Sequence, residues 1–321
     1  MNNTFYVVLF GIVWGLTTSV VRAQNQDPQF SSYMFNPVYY NPAAVGSEKV
    51  ARFQLVHRTQ YLGYQSNFDD GGSFNTQLFS FNMPLASIRG GVGLYALNET
   101  VGPQSFQRVQ AAYAFRLPLK KGTLSLGVEG GLHNYTINYD WFRPNEPDPL
   151  IQSGKVSQMQ PDFGAGIYYN TDTYYVGASM KHLTQPDFNL GTDQNLNALY
   201  RTSYITAGYR YEWNYLIDIM PSAIYKFNTN GTYSSLEVNL MAMYDKRHWF
   251  GLGYRQGDAV SASAGVSLLR NNALRFGYSF DFIVGNRNAK SPTSHEILLS
   301  YSLPEPRSGR KPIIRTPRFR Y

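Results

Sequence analysis

The sequence predicts an all-β protein: a transmembrane, outer-membrane antiparallel β-barrel of about 14 strands that follows a cleaved signal peptide. Three observations lead to this prediction: the amino-acid composition, a period-two alternation of apolar and polar residues, and the lengths of the connections. The 321 residues include 26 Tyr, 20 Phe and 28 Gly, but only 15% are charged. Membrane barrels mix apolar residues with an alternating polar set and concentrate aromatic residues at the two membrane interfaces. The absence of cysteine excludes a disulfide scaffold and any thiolate metal site.

The alternation is clearest near the C-terminal end, where Leu274, Phe276 and Tyr278 alternate with Arg275 and Ser279. Side chains alternate across a strand, so such a run has one apolar and one polar face. These runs exceed the usual strand length of about 5–6 residues and approach the length that a tilted strand needs to cross the hydrocarbon core. Fourteen runs are predicted, near residues 51–61, 72–83, 88–98, 105–117, 122–136, 160–169, 173–182, 200–212, 215–227, 232–244, 248–256, 259–269, 273–283 and 294–303.

The same alternation assigns a side of the barrel wall to individual residues. Leu236, Val238, Leu240, Leu274, Phe276 and Tyr278 are predicted to face lipid, and Glu237, Asn239, Arg275 and Ser279 are predicted to face the lumen. The charges on the predicted inner faces are nearly balanced in sign. An ion-selective pore favours one sign at its constriction, so the balance favours a lumen filled by ion pairs or by the protein's own segments.

The connections support the barrel independently. Every second connection is short, and the three longest gaps, 137–159, 183–199 and 284–293, all fall on the opposite side. Short periplasmic turns and longer outer loops are typical of outer-membrane barrels. An even number of strands then predicts that both termini lie in the periplasm and that the protein resides in the cell outer membrane.

Four regions are predicted along the chain: a signal peptide over 1–23, a periplasmic or plug segment over 24–50, the barrel over 51–303 and a basic periplasmic tail over 304–321. The first rests on the apolar run from Phe5 to Val21 and the small residues around Arg22. A transmembrane anchor is the alternative for this run, which is short for a membrane span and is interrupted by hydroxyl residues.

The net charge of +7 does not indicate a nucleic-acid-binding domain. Arg22 in the signal peptide accounts for one positive charge and residues 304–321 for five, so the remainder carries about +1. The positive charge is therefore concentrated in the tail, whose cations are Arg307, Arg310, Lys311, Arg315, Arg318 and Arg320.

No catalytic, cofactor-binding or metal site is predicted, and the protein is not expected to be an enzyme. The sequence contains no G-x-S-x-G nucleophile motif and no metal-binding histidine spacing. Its five histidines are scattered, at His57, His133, His182, His248 and His295. The Asp- and Asn-rich stretch 187–197 lacks the spaced carboxylates of a calcium loop, which favours a plain polar loop.

The segment 24–50 is the most informative part of the sequence. Its two Asn-Pro steps force turns, because proline lacks an N–H and disfavours helix at the preceding residue. Its aromatic residues are expected to be buried at or inside the periplasmic mouth, or against a partner. The predicted plug or partner-binding residues are Asp27, Pro28, Phe30, Tyr33, Phe35, Asn36, Pro37, Tyr40, Asn41 and Pro42.

Here the chain resembles the PorP/SprF family of Bacteroidota type IX secretion system membrane proteins. The resemblance lies in Gln26-Asp27-Pro28-Gln29-Phe30-Ser31, Tyr33-Met34-Phe35-Asn36-Pro37 and Tyr40-Asn41-Pro42-Ala43, followed by Gly46. The stretch from His57-Arg58 to Gln60-Tyr61 is a looser match, with Tyr61 where the family often has Trp. Beyond residue 65 only architecture and length agree.

The resemblance implies an outer-membrane component of the type IX secretion system. Such a protein would aid export or surface attachment of partner proteins, including the adhesins of gliding motility, by protein–protein binding. Its expected partners are secretion components, an exported surface protein and membrane lipid, together with peptidoglycan or a periplasmic cell-wall-binding protein, and no nucleic acid. The alternative is a porin-like channel or transporter for small solutes.

Overall fold

The structure is a computed structural model that describes residues 27–48, 50–63, 74–141, 153–190, 198–231, 233–285 and 291–304. Fourteen strands form one antiparallel sheet. They are β1 (Arg52–Gln60), β2 (Phe74–Leu85), β3 (Gly90–Val101), β4 (Gln104–Pro118), β5 (Thr123–Asn138), β6 (Lys155–Asn170), β7 (Tyr174–Lys181), β8 (Thr202–Tyr209, continued by Tyr211–Glu212), β9 (Ile217–Asn228), β10 (Ser234–Tyr244), β11 (His248–Arg255), β12 (Ala259–Leu268), β13 (Leu274–Ile283) and β14 (Thr293–Ser302).

Each strand pairs with its neighbours in sequence, and β1 pairs with β14 from Arg52↔Ser302 to Thr59↔His295. The sheet is therefore closed, which removes the free edges that a hydrocarbon environment cannot hydrate. The two parts of β8 belong to one strand because they keep the same register against β9. Within the described part of the chain, no helix is long and apolar enough to cross a membrane.

The predicted all-β barrel of 14 strands is confirmed, and every predicted run corresponds to an observed strand. The largest difference is in β6, which begins at Lys155 rather than near residue 160. Residues 155–160 pair with 133–138 of β5. Polar residues occupy both faces of this extension, so the alternation that predicts a membrane strand begins only further along the chain.

The two faces of the wall differ as the alternation predicts. In β10, Val238 and Leu240 are exposed on the outer surface, whereas Glu237 and Asn239 are buried inside. In β13, Phe276 and Tyr278 are exposed and Ser279 is buried. Leu236, Leu274 and Arg275 are half-buried near strand ends. The barrel therefore has an apolar outer band around a polar interior.

Placing an arginine on the outer band is expected to destabilise the barrel. Leu240 lies in the middle of β10 and its side chain is 55% exposed. We expect Leu240→Arg to lower the free energy of unfolding in lipid by about 2–4 kcal/mol, because the charge would enter hydrocarbon. Its neighbour Asn239 faces the lumen, and Asn239→Ser is the matched control. Equal losses for the two variants, measured by denaturant titration in lipid bilayers, would contradict the assigned faces.

The connections define two mouths. The short-turn mouth carries the turns around residues 86–89, 119–122, 171–173, 213–216, 245–247 and 269–273. The long-loop mouth carries the loops 139–154 and 182–201, which are described at 139–141, 153–154, 182–190 and 198–201. Near the C-terminal end of the described residues, Leu303 donates its backbone N–H to Ala51 O beside the start of β1. The described chain thus ends at the short-turn mouth.

Candidate functional site

The lumen is occupied by the N-terminal residues 27–48, here called the plug. Its first residue, Asp27, contacts Tyr204 and Lys226, each two residues from the long-loop end of its strand. Its last turn brings Gly46 against Gly91, next to the short β2–β3 turn. The plug therefore runs through the lumen from the long-loop half to the short-turn mouth, where it continues into β1.

The two Asn-Pro steps shape the plug as short helical turns. Pro37 begins the single turn Pro37–Tyr40, and Pro42 begins the 3₁₀ turn Pro42–Ala44. The Asn41 side chain accepts a hydrogen bond from Ala43 N at 2.9 Å and donates to Ile167 O, also at 2.9 Å. Proline suits the first helical position because its missing N–H would have no helical partner there. These turns fold the plug compactly enough to fit inside the barrel.

Glycines of the barrel wall make room for the plug. A Cβ on Gly127 would lie 2.2 Å from Ala43 N and 2.4 Å from Pro42 C, and a Cβ on Gly91 would lie 2.6 Å from Gly46 Cα. Gly46 itself has a φ of +68°, which strongly favours glycine. Gly93 makes room in the same way, because a Cβ there would lie 3.0 Å from the Val45 side chain.

Aromatic residues form the apolar centre of the plug. Phe30, Tyr33, Tyr39 and Tyr40 are almost fully buried. Tyr39 packs edge-on against Tyr95 of β3 with ring centroids 5.3 Å apart, and Tyr40 packs against Tyr204 of β8 at 5.4 Å. Edge-to-face aromatic pairs contribute roughly 0.5–1.5 kcal/mol each beyond their burial. Burial also raises the pKa of the Tyr39 hydroxyl, which keeps this ring neutral.

Asp27 anchors the end of the plug that lies in the long-loop half of the barrel. Its carboxylate accepts from Arg108 Nη1 at 2.7 Å, from Tyr204 OH at 2.7 Å and from His182 Nε2 at 3.1 Å, while Lys226 Nζ donates to its backbone carbonyl at 2.7 Å. Burial alone would raise the pKa of the Asp27 carboxyl, but Arg108, His182 and Lys226 hold that pKa well below its usual value. Asp27 is therefore a fully buried carboxylate that stays charged.

A second ionic cluster holds the plug at Ser31. Arg58 of β1 pairs with Asp281 of β13 at 2.7 Å and with Glu296 of β14 at 3.1 Å. The Ser31 hydroxyl donates to Asp281 at 2.7 Å, and its backbone N–H donates to Glu296 at 2.9 Å. Ser32 also donates to Glu296 from its hydroxyl. These contacts tie the plug to both strands of the seam that closes the barrel.

Part of the β7–β8 loop covers the lumen at the long-loop mouth. Phe188 and Leu190 are buried there, and the Phe188 ring lies 5.7 Å from the Tyr135 ring of β5. Tyr139 donates its hydroxyl to Leu190 O. Below Phe188, His133, Asp162 and His182 are buried side by side, with potential ligand atoms all within 4.8 Å of one another. The described residues of the loop therefore lie as a cap over this polar group.

A cavity of about 490 Å³ lies at the short-turn mouth, here called the vestibule. Half-buried Met34 and Phe35 of the plug form its inner wall, and Phe35 packs against Trp249 with ring centroids 5.1 Å apart. Arg52 and Arg275 also line it. The vestibule thus presents apolar plug residues and cationic barrel residues to the outside of this mouth.

The structure gathers the predicted residues of the plug inside the barrel. Asp27, Phe30, Tyr33, Tyr40 and Asn41 are buried in the lumen. Asp27 reaches the long-loop half because the cations that pair with it lie there. Residues 1–26 and the six tail cations lie outside the described residues.

Several residues that hold the plug were not predicted to contact it, although Arg58 lies in the looser family match. Arg58, Arg255 and Lys226 are buried in the lumen and bind either the plug or its ionic partners. The alternation of their strands places each on an inner face, and this signal could have identified them. The approach of His133 to His182 carries no such signal, because it depends on how β5 and the end of β7 meet in space.

The fold and the filled lumen define an outer-membrane β-barrel whose N-terminal segment acts as a plug. The sequence matches the family of type IX secretion system membrane proteins PorP/SprF over residues 22–301. The chain belongs to this family, which confirms the resemblance found in the N-terminal motif. No match to a curated protein was found.

Solved structures with similar folds are barrels as well. The toluene transporter TbuX of Ralstonia pickettii superimposes with a TM-score of 0.54 and 11% identity, covering 83% of this chain and 93% of that chain. The toluene transporter TodX of Pseudomonas putida gives a TM-score of 0.48 and 10% identity, with coverage of 83% and 93%. At these identities the similarity to TbuX establishes the outer-membrane barrel fold alone.

Proposed function

We propose that this protein is a plugged barrel that serves type IX secretion by binding partner proteins, not by conducting solutes or by catalysis. The observation that carries this proposal is the plug itself. It fills the lumen with buried aromatic rings, and it makes an ion pair and hydrogen bonds with charged side chains of the wall. A pore for small solutes requires a continuous polar path, and the packing of the described residues opposes one.

The short-turn mouth is the proposed periplasmic docking face. Outer-membrane barrels carry their short turns on the periplasmic side. The vestibule, with Met34 and Phe35 beside Arg275 and the Arg52–Glu48 ion pair, offers an apolar contact with charged groups of both signs around it. Leu303 lies at the same mouth, and the sequence that follows it contains six cations. This chemistry suits an acidic surface of a secretion component or the anionic cell wall. An exported surface protein would engage the opposite, outer face.

The two ends of the mature chain are proposed to differ in position. The tail leaves from the periplasmic mouth, as the sequence predicts. The N-terminal end instead enters the outer half of the lumen, since Asp27 is anchored near the ends of the strands that carry the long loops. We therefore propose a periplasmic position for the tail and a lumenal position for the start of the plug at Asp27.

Two variants test the binding function. Removing residues 304–321 is expected to leave a folded, heat-modifiable barrel while reducing export and recovery of secretion partners. Replacing Tyr33, Phe35 and Tyr40 by alanine is expected to impair both folding and export, because the plug would lose its apolar centre. A tail of unchanged length with its six cations replaced by glutamine separates the effect of charge from that of length.

Single-channel conductance in planar bilayers distinguishes the adaptor from the porin-like alternative. The wild-type barrel is expected to conduct little, because the plug closes the lumen. A steady open-channel conductance of the wild type would contradict the proposal and favour the porin. Normal export without the tail, together with normal folding and export of the aromatic variant, would contradict the proposed role of both segments.

A further inference from the structure

Two histidines far apart in sequence meet beneath the Phe188 cap, together with one carboxylate. His133 lies on the inner face of β5, Asp162 on the inner face of β6, and His182 directly after β7. Their potential ligand atoms all lie within 4.8 Å of one another. Two imidazoles and a carboxylate are ligands that suit zinc, which is often held by three protein groups with a fourth position open.

His133 supplies a second, independent observation. Its side chain is almost completely buried, yet neither ring nitrogen has a hydrogen-bond partner among the described residues. The ring lies 6.1 Å from the His182 ring and 5.5 Å from the Phe188 ring, centroid to centroid. A buried polar group without a partner is destabilising, because it has lost its hydrogen bonds to water. A metal ion would engage the lone pair of one of the two ring nitrogens.

His182 is already oriented as metal-bound histidines usually are. Its Nδ1 lies 2.7 Å from Asp162 Oδ2, and its Nε2 lies 3.1 Å from Asp27 Oδ1. Metal-bound histidines almost always donate the second ring N–H to a carboxylate or carbonyl, which fixes the tautomer and the ring orientation. Asp27 occupies that position here. If Nδ1 binds the ion, Nε2–H donates to Asp27.

We propose that His133, Asp162 and His182 bind one divalent transition-metal ion, with Zn²⁺ as the expected occupant and Asp27 as the orienting carboxylate. To reach zinc bond lengths of roughly 2.0–2.2 Å, His133 must move closer to the other two groups, and the 2.7 Å contact between His182 Nδ1 and Asp162 Oδ2 must open to admit the ion. The nearby cations Arg108 and Lys181 each have an anionic partner, which reduces their repulsion of the ion. Arg108 pairs with Asp27, and Lys181 lies 3.8 Å from Glu129. The bound ion would hold the wall, the cap and the plug together.

The arrangement without a metal makes a different prediction. His182 would then bridge Asp162 and Asp27 as a charged imidazolium, and His133 would take no part. Replacing His133 would leave such a bridge intact. The two arrangements are therefore distinguished by His133, which contributes a ligand only if an ion is bound.

The test measures Zn²⁺ binding to the full-length barrel in detergent after chelator treatment, by competition with a chromophoric chelator. One Zn²⁺ per chain is expected, with a rise in unfolding temperature on its addition. His133→Gln is expected to weaken binding by at least about 100-fold, and Asp27→Asn by about 10–100-fold. His57→Gln, on the exposed outer face, is the matched control and should bind as the wild type does.

The proposal would be overturned by wild-type protein that binds no stoichiometric Zn²⁺, or by His133→Gln protein that binds as tightly as the wild type. Heat-modifiable migration establishes that each variant is folded before titration. If His133→Gln does not fold, His133→Asn and the wild-type stoichiometry decide the question. An equal loss in His57→Gln would assign the binding to surface histidines and would also refute the site.

Discussion

Replacing Asp27 by alanine is expected to destabilise the barrel by about 3–5 kcal/mol, the cost of removing one partner from a buried ionic pair. The variant leaves Arg108 buried without its carboxylate, and Tyr204 and His182 each lose an acceptor. The loss should appear as a lower free energy of unfolding in a denaturant titration of the folded barrel in lipid.

The control is an ion pair near the surface of the same barrel. Glu212 pairs with Arg210 at 3.4 Å, and the Glu212 side chain is largely exposed. Exposed pairs contribute about 0–1 kcal/mol, so Glu212→Ala should change stability little. If Asp27→Ala costs no more than Glu212→Ala, the end of the plug at Asp27 is not anchored by this carboxylate. Because the pKa of Asp27 is lowered, its contribution should be complete above the ordinary pKa of 3.8 and lost only as the pH falls through the lowered value.

Replacing Gly127 by valine is expected to displace the plug and open the lumen. Its first side-chain carbon would lie 2.2 Å from Ala43 N and 2.4 Å from Pro42 C, and both are backbone atoms that cannot rotate away. Either the plug or strand β5 must move. Since the strand is held by hydrogen bonds on both sides, the plug is expected to yield, and single-channel conductance should rise from the low wild-type level.

Gly130 provides a control on the same strand. A Cβ there would lie 3.1 Å from the Phe163 ring, a side chain exposed on the outer surface that can turn aside. Gly130→Val should therefore fold and remain closed. A barrel carrying Gly127→Val that folds with unchanged conductance and a protease-resistant plug would show that the plug does not rest on this glycine.

The fold was predictable from the sequence because each strand carries its own signal. Residues 273–283 alternate strictly between the two faces, and the structure places β13 at Leu274–Ile283. Such alternation depends only on neighbours in sequence and on the difference between lipid and lumen. Where both environments are polar, as at residues 155–159 of β6, the signal disappears and the predicted boundary falls short.

The site was predictable only in part. The Asn-Pro steps of the plug predict turns, which are found at Pro37 and Pro42. Its aromatic residues predict burial, which is found at Tyr40. The direction of the plug was not predictable, because it depends on where Arg108, His182 and Lys226 meet in space. The grouping of His133 with His182 depends in the same way on strand register and on the return of one loop.

The ionic cluster at the seam has a consequence for biogenesis. Ser31 and Glu296 are 265 residues apart in sequence, and Arg58 and Glu296 face each other where the first and last strands meet. The hydrogen bond of Ser31 to Glu296 therefore cannot form until the final strand has been synthesised and delivered. Contacts of such long range form late because they must overcome the entropy of closing a large loop. A chain truncated before β14 would lack both the strand that closes the barrel and the Glu296 carboxylate that binds the plug. Closure of the barrel and fixation of the plug at Ser31 therefore both depend on synthesis of the last strand.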